Sequence, residues 1–122
     1  MMPQPLAGRR LLMVEDEVLV ALALKEMLES YGISVDSVRN IDEGLALLDR
    51  HRPDAALLDI KLGDHLVFPL ADRIAAAGVP YAFFSGTASD AMPERFRHAP
   101  RLVKPAMAED VVDLLERLTG AG

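Results

Sequence analysis

No cysteine occurs in the 122 residues of the chain. Its absence excludes a disulfide framework and any thiolate metal site, and agrees with a reducing compartment. No apolar run approaches the ~20 residues that a bilayer-spanning helix requires. The opening Met1-Met2-Pro3-Gln4-Pro5 lacks the basic, apolar and small-residue succession of a secretory signal. Low-complexity stretches and strong repeats are also missing. Positive charge is scarce: 13 Lys and Arg stand against 19 Asp and Glu, a net charge of −6. A cationic face for nucleic acid is therefore not expected. The acidity suits a metal cation or a basic partner patch. These absences leave a soluble cytoplasmic protein without a membrane segment, long enough for one domain with a proper core.

What is present is a rhythm of strand and helix. Leu11–Val14 is a first strand, followed by a helix from Val18 to Tyr31 that Gly32 ends. Leu19, Val20, Leu22, Leu24, Met27 and Leu28 make that helix apolar over most of its surface, as expected of one pressed between sheet and neighbouring helices. Ile33–Val38 alternates apolar and polar residues, which marks an edge strand. Asn40 and Glu43 form a capping-box-like pair ahead of a helix whose inward stripe is Ile41, Leu45 and Leu48. Ala55–Leu58, apolar on both faces, is a central strand. Gly63 and Asp64 mark a loop. Pro69 suits the first turn of a third helix with Leu70, Ile74 and Ala75 inward and Gly78 at its end.

Tyr81–Phe84 is a fourth strand and Arg101–Val103 a brief fifth. Between them, Gly86 to Pro93 is loop-like, and Pro93 and Pro100 limit any helix near Glu94–His98. A shortened or mobile fourth helix is expected there. A last helix from Met107 to Leu118 turns Val111, Val112, Leu115 and Leu118 inward and Glu109, Asp113, Glu116 and Arg117 to water. The succession predicts an α/β fold: (βα)5, with a doubly wound, five-stranded parallel sheet of order 2-1-3-4-5. The domain is expected over residues 9–119, between tails at 1–8 and 120–122.

Four of these apolar runs stop on a reactive side chain. The first meets Glu15-Asp16-Glu17, the third Asp59, the fourth Ser85-Gly86 and the fifth Lys104-Pro105. In an open α/β sheet, ligands bind beyond the carboxyl ends of the strands. With the first and third strands adjacent, Glu15, Asp16 and Asp59 come close, and like charges raise one another's pKa. A divalent cation relieves that repulsion, and Mg2+ takes a few carboxylates while keeping waters. Lys104 faces the cluster as a point charge able to meet a carboxylate or a phosphoryl oxygen. The Ser85 hydroxyl can donate to the same oxygen, and Gly86 admits close backbone approach.

Val14-Glu15-Asp16-Glu17, Leu57-Leu58-Asp59-Ile60, Phe84-Ser85-Gly86 and Val103-Lys104-Pro105, in this order and spacing, resemble the receiver domain of bacterial two-component response regulators, a flavodoxin-like fold. The resemblance covers about residues 9 to 119. It implies that Asp59 is the phosphoacceptor. It further implies Mg2+ (or Mn2+) held by Asp16, Asp59 and the Lys61 backbone carbonyl, with Glu15 bound through water. Ser85 and Lys104 would contact the phosphoryl group, and Lys61 would tune its lifetime. The Lys104–Pro105 peptide bond would be cis. The implied partner is a sensor histidine kinase or a histidine phosphotransfer protein, with an unknown downstream protein target and no nucleic acid. The chain would act through phosphorylation-dependent contact or as a phosphate sink, with self-catalysed phosphorylation and dephosphorylation as its whole chemistry.

The chain also departs from that family. Arg101 stands where receivers carry the Tyr or Phe of their switch, and it cannot reproduce an aromatic rotation by the same packing. Ala106 replaces a bulky aromatic after Lys-Pro. Tyr81-Ala82-Phe83-Phe84-Ser85-Gly86 and Pro93-Glu94-Arg95-Phe96 look like a subset of single-domain receivers with a reduced fourth helix. His51, His65 and His98 show no ligand spacing and are expected on the surface. With Thr119-Gly120-Ala121-Gly122 closing the sequence and no effector module visible, the chain is expected to stand alone; a receiver cut from a hybrid histidine kinase is the alternative. An aspartate-based phosphatase would carry Asp-x-Asp after the first strand, where this chain has Glu15-Asp16-Glu17. A nucleotide- or flavin-binding module would carry a glycine-rich loop at that place.

Overall fold

β1 (Arg10–Val14), α1 (Val18–Glu29), β2 (Ser34–Val38), α2 (Ile41–Arg50), β3 (Ala55–Asp59), β4 (Lys61–Leu62), β5 (His65–Leu66), α3 (Phe68–Ala76), β6 (Tyr81–Ser85), β7 (Arg101–Val103) and α4 (Ala108–Thr119) follow one another along the chain. They are seen in a computed structural model that describes residues 6–86 and 92–120. Five strands form one parallel sheet in the order β2-β1-β3-β6-β7. This is the expected 2-1-3-4-5 arrangement, with β4 and β5 set apart as a small antiparallel hairpin.

Strand alternation divides the core in two. Leu11, Met13, Ala55, Leu57, Ala82 and Phe84 point to one face, where they meet Leu24 and Leu28 of α1 and Val111 and Leu115 of α4. Leu12, Val14, Ala56, Leu58 and Phe83 point to the other, against Leu47 of α2 and Leu70, Ala71 and Ile74 of α3. All five residues of β3 are buried, as a strand covered on both sides demands. The packed unit begins ahead of residue 9: Leu6 is buried in the first cluster, and the Gly8 N–H donates to the Gly32 carbonyl.

Local signals explain several helix ends. The Asn40 side chain accepts from the Glu43 N–H at 2.8 Å, and the Glu43 carboxylate accepts from the Arg39 N–H. Pro69 lies in the first turn of α3. Gly120, at φ 71°, ends α4 in the left-handed conformation that glycine adopts freely.

Most inward assignments hold, with changes at single positions. In α2 the buried residues are Gly44 and Leu47, flanked by the half-buried Ile41, Leu45 and Leu48. In α3, Ala71 faces the core and Ala75 faces solvent. Leu114 joins the inward face of α4. The larger correction is α1. It buries Ala21, Leu24 and Leu28 but leaves Leu19 80% and Leu22 59% exposed, with Val18 and Met27 also open. One side lies on the sheet and the opposite apolar side has no cover among the described residues.

Between β6 and β7 the described residues contain a single 3-10 turn, Glu94–Phe96. It is pinned by Phe96, which stacks on Phe68 at 5.5 Å and meets Phe83 edge-on at 5.4 Å. Arg95 adds a two-pronged pair with Asp72 of α3. The expected loop and fourth-helix segment includes residues 87–91, which lie outside the described residues. No described helix is long and apolar enough to cross a membrane.

Candidate functional site

The carboxyl ends of β1, β3, β6 and β7 converge on one acidic pocket. Glu15 follows β1 directly; its N–H donates to the Val38 carbonyl of β2, which continues the ladder by one step and fixes its backbone. Its side chain turns inward and is 1% exposed. Asp59 is the last residue of β3 and pairs in register with Phe84. Glu15, Asp16 and Asp59 each bring a carboxylate oxygen within 4.8 Å of the others, a spacing that could hold a metal ion.

Lys104 comes to these acids from the residue after β7. Its Nζ lies 2.6 Å from Glu15 Oε2, 3.1 Å from Asp59 Oδ2 and 3.8 Å from Glu17 Oε1. It also stands 5.2 Å from the Phe84 ring centroid, in cation–π range. The Lys104 N–H donates to the Ser85 carbonyl at 2.6 Å, which ties the end of β7 to the end of β6. The Lys104–Pro105 peptide bond is cis. Ser85 is buried at the end of β6, and Arg101 stands in β7 opposite Phe83. Lys61 opens the β4–β5 hairpin two residues beyond Asp59, with its side chain in solvent.

Electrostatics favour a cation here. Burial, then the Glu15 charge, pushes the Asp59 carboxyl up to about 7, although Lys104 opposes the rise. Burial works against the charged form of Lys104, but the Glu15 and Asp59 carboxylates outweigh it and raise its pKa. One ammonium thus incompletely neutralises a carboxylate cluster that is largely removed from water. A second cation would relieve the remainder, and the donor set, all hard oxygen, fits Mg2+ or Mn2+.

The structure therefore gathers Glu15, Asp16, Asp59, Ser85 and Lys104 from four strand ends. Sequence reasoning missed three contributors. Glu17 reaches Lys104, and the Glu15-Asp16-Glu17 run was a visible signal for it. Phe84 lies under the ammonium, where its side of the strand depended on register. Gly63, assigned to a plain loop, donates its N–H to Asp16 Oδ2 at 2.9 Å from a two-residue hairpin turn. His51 pairs with Asp36 at the edge strand β2, away from the carboxyl-end pocket, and His65 is exposed on the hairpin.

Comparison with known proteins agrees with this fold. A curated relative, the transcriptional regulatory protein PdtaR of Mycobacterium tuberculosis, is 30% identical over 113 residues, which cover 88% of this chain and 55% of the relative. The chain thus spans about half the length of the curated relatives it matches. The solution structure of SdrG from Sphingomonas melonis Fr1 is 34% identical with a TM-score of 0.79, covering 96% of this chain and 98% of that one. The receiver domain of the sensor histidine kinase PA1611 from Pseudomonas aeruginosa PAO1, with a magnesium ion coordinated in its active-site cleft, is 25% identical with a TM-score of 0.79, covering 93% and 99% of the two chains. The family profile described as the response regulator receiver domain matches residues 11–116, and with the strand order and pocket described above the chain belongs to that family.

Proposed function

We propose that this chain is a response regulator that accepts a phosphoryl group on Asp59 from a sensor histidine kinase or a histidine phosphotransfer protein, in the presence of Mg2+ or Mn2+. The observation that carries the reading is the Asp59 carboxylate 3.1 Å from Lys104, with Glu15 and Asp16 completing a cation site around it. Family membership supports a signalling domain rather than an enzyme with its own turnover. Asp16, Asp59 and the Lys61 carbonyl would hold the metal, with Glu15 reaching it through water. When bound, the metal offsets negative charge on the carboxylates and on the incoming phosphoryl oxygens.

The chain's own groups do the rest. Asp59 in its ionised form attacks the phosphorus of a phosphohistidine; the oxygen–phosphorus bond forms, the nitrogen–phosphorus bond breaks, and imidazole leaves. The central-strand ladder holds the nucleophile's backbone still. Lys104 then exchanges part of its attraction to Glu15 and Asp59 for a phosphoryl oxygen, and the Ser85 hydroxyl donates to the same group. That exchange biases the loops that carry Ser85 and Lys104, and so the surface a partner meets. Arg101 rules out an aromatic rotation at that position, so the signal travels by another route. Lys61, exposed beside the site, sets how soon water removes the phosphoryl group.

The donor must present its histidine at the pocket, so its docking face must border it. The uncovered ridge of Val18, Leu19 and Leu22 on α1 meets that requirement, since α1 starts right after Glu17. The downstream target is an unidentified protein, contacted upon phosphorylation unless the chain serves as a phosphate sink. The reading places the chain in the bacterial cytoplasm. Incubation with Mg2+ and a small acyl-phosphate donor should add one phosphoryl group, and Asp59→Ala should abolish it. An unmodified wild-type mass, where a control receiver is labelled, would defeat the reading.

A further inference from the structure

Asp16 begins from an unfavourable position. It is a half-exposed side chain at the end of a strand, facing two other carboxylates within 4.8 Å. Like-charge repulsion would turn such a group out toward water whenever no metal is present. One bond opposes that rotation: the Gly63 N–H donates to Asp16 Oδ2 at 2.9 Å.

The source of that N–H is built for the purpose. Leu62 pairs with His65 across the β4–β5 hairpin, which leaves Gly63 and Asp64 as its two turn residues. Gly63 has φ 62°, and no residue other than glycine has a positive φ among the described residues. A positive φ at the first central position alone is the type II′ turn, which selects glycine there. The N–H of that position takes no part in the hairpin ladder, which leaves it free to donate to Asp16. The hairpin cannot swing away, because Ile60, Leu62 and Val67 are buried and the Val67 N–H donates to the Ile60 carbonyl at 2.9 Å.

We propose that the Gly63 amide is a positioning group for the metal site. It holds one oxygen of Asp16 and leaves the other turned to the cation, so the hairpin sets metal affinity. Lys61 lies in the same hairpin, so the turn and one proposed carbonyl ligand share one frame. The inference rests on the magnesium reading given above. Its mechanism is the ordinary one by which an outer hydrogen bond orients a metal-binding carboxylate.

The test uses the full chain, isotope-labelled, titrated with MgCl2 and followed by amide resonances and calorimetry. In metal-free buffer, Asp16→Asn should shift the Gly63 amide proton upfield while the Leu62–His65 cross-strand contacts persist. Gly63→Ala should weaken Mg2+ binding about tenfold, whereas His65→Ala on the same hairpin should stay within about twofold of wild type. A Cβ at Gly63 would meet nothing within 4 Å, so the variant carries backbone strain without a clash. A Gly63 amide that ignores Asp16→Asn, or Mg2+ binding by Gly63→Ala within about twofold of a binding wild type, overturns the inference alone. A wild-type chain that takes up no Mg2+ overturns the metal reading and this inference with it.

Discussion

Lys104 lies closer to Glu15 than to Asp59, at 2.6 Å against 3.1 Å, so a single ammonium is shared by two buried carboxylates. Its nearest partner is therefore not the proposed phosphoacceptor. The pocket is a balance of charges rather than one ion pair, and the balance gives the first expectations.

Removing the ammonium should expose the imbalance. Breaking a buried pair by deleting one partner costs about 3–5 kcal/mol. Protonation of Asp59 recovers part of that here. Lys104→Met is therefore expected to lose on the order of 2 kcal/mol at pH 8 without metal, and less at pH 5. Added Mg2+ should stabilise the variant more than the wild type. Urea unfolding at the two pH values, with and without Mg2+, measures all three effects.

The raised Asp59 pKa has a defined sign. Unfolded, the group titrates near 3.8; folded, near 7. Between those values the folded state binds more protons at this group, so the group's contribution to stability is fully present below the lower pKa and is lost as pH rises through the upper one. At 1.36 kcal/mol per unit the shift sets an upper bound of about 4 kcal/mol, and partial solvation reduces it to the order of 2 kcal/mol. Asp59→Asn should flatten that slope and leave the metal-free protein more stable than wild type above pH 7. Thermal unfolding from pH 4 to 9 in chelator checks this; a wild-type curve without the decline would contradict it.

The α1 ridge separates chemistry from recognition. Leu22 is 59% exposed, so Leu22→Glu should change stability by no more than about 0.5 kcal/mol. Labelling by a small acyl phosphate should be unaffected. Phosphotransfer from the cognate protein donor should slow by at least about tenfold, equivalent to ~1.4 kcal/mol of lost docking energy. Equal rates from the protein donor for both chains would place the docking face elsewhere.

Gly44 tests the α2–α3 packing. A Cβ there would come within 2.5 Å of Leu70 Cδ2, and Leu70 is fully buried. Overpacking costs about 1–3 kcal/mol. Alanine's better helix propensity returns up to ~1 kcal/mol. Gly44→Ala should therefore be destabilising by about 1 kcal/mol, and the additional change Leu70→Ala should remove the clash so that the two effects are not additive. A stabilised Gly44→Ala protein would mean that Leu70 moves aside freely.

Much of this architecture could be seen in the residues themselves. The runs ending at Val14, Leu58 and Phe84 are short, buried and followed by polar groups, and such a pattern has few realisations besides parallel strands; the run ending at Val103 is as short but more exposed. The convergence of Asp16, Asp59 and Lys104 was legible because strand ends in this topology meet at one edge. The hairpin was not. Lys61–Leu66 is too short to show alternation, and Gly63-Asp64 says "turn" without saying what its free N–H will meet. The bare side of α1 was misjudged for a related reason: Leu19 and Leu22 look like core residues, and hydrophobicity cannot distinguish a face that packs within the chain from one that is left open. The inward residues of α2 were displaced by one position because adjacent apolar residues such as Leu47-Leu48 fit either phase of a helical stripe, whereas in α3 Leu70 and Ile74 face inward as expected and only Ala75 does not.

Asp59 is both the proposed site of reaction and the final rung of the middle strand. Its main chain is thus clamped by the most deeply enclosed part of the molecule, and any rearrangement set off there has to be taken up by less tethered neighbours. The travelling parts would then be the ammonium beyond β7 and the hydroxyl ending β6, with the attacked residue remaining the fixed point against which their displacement is measured.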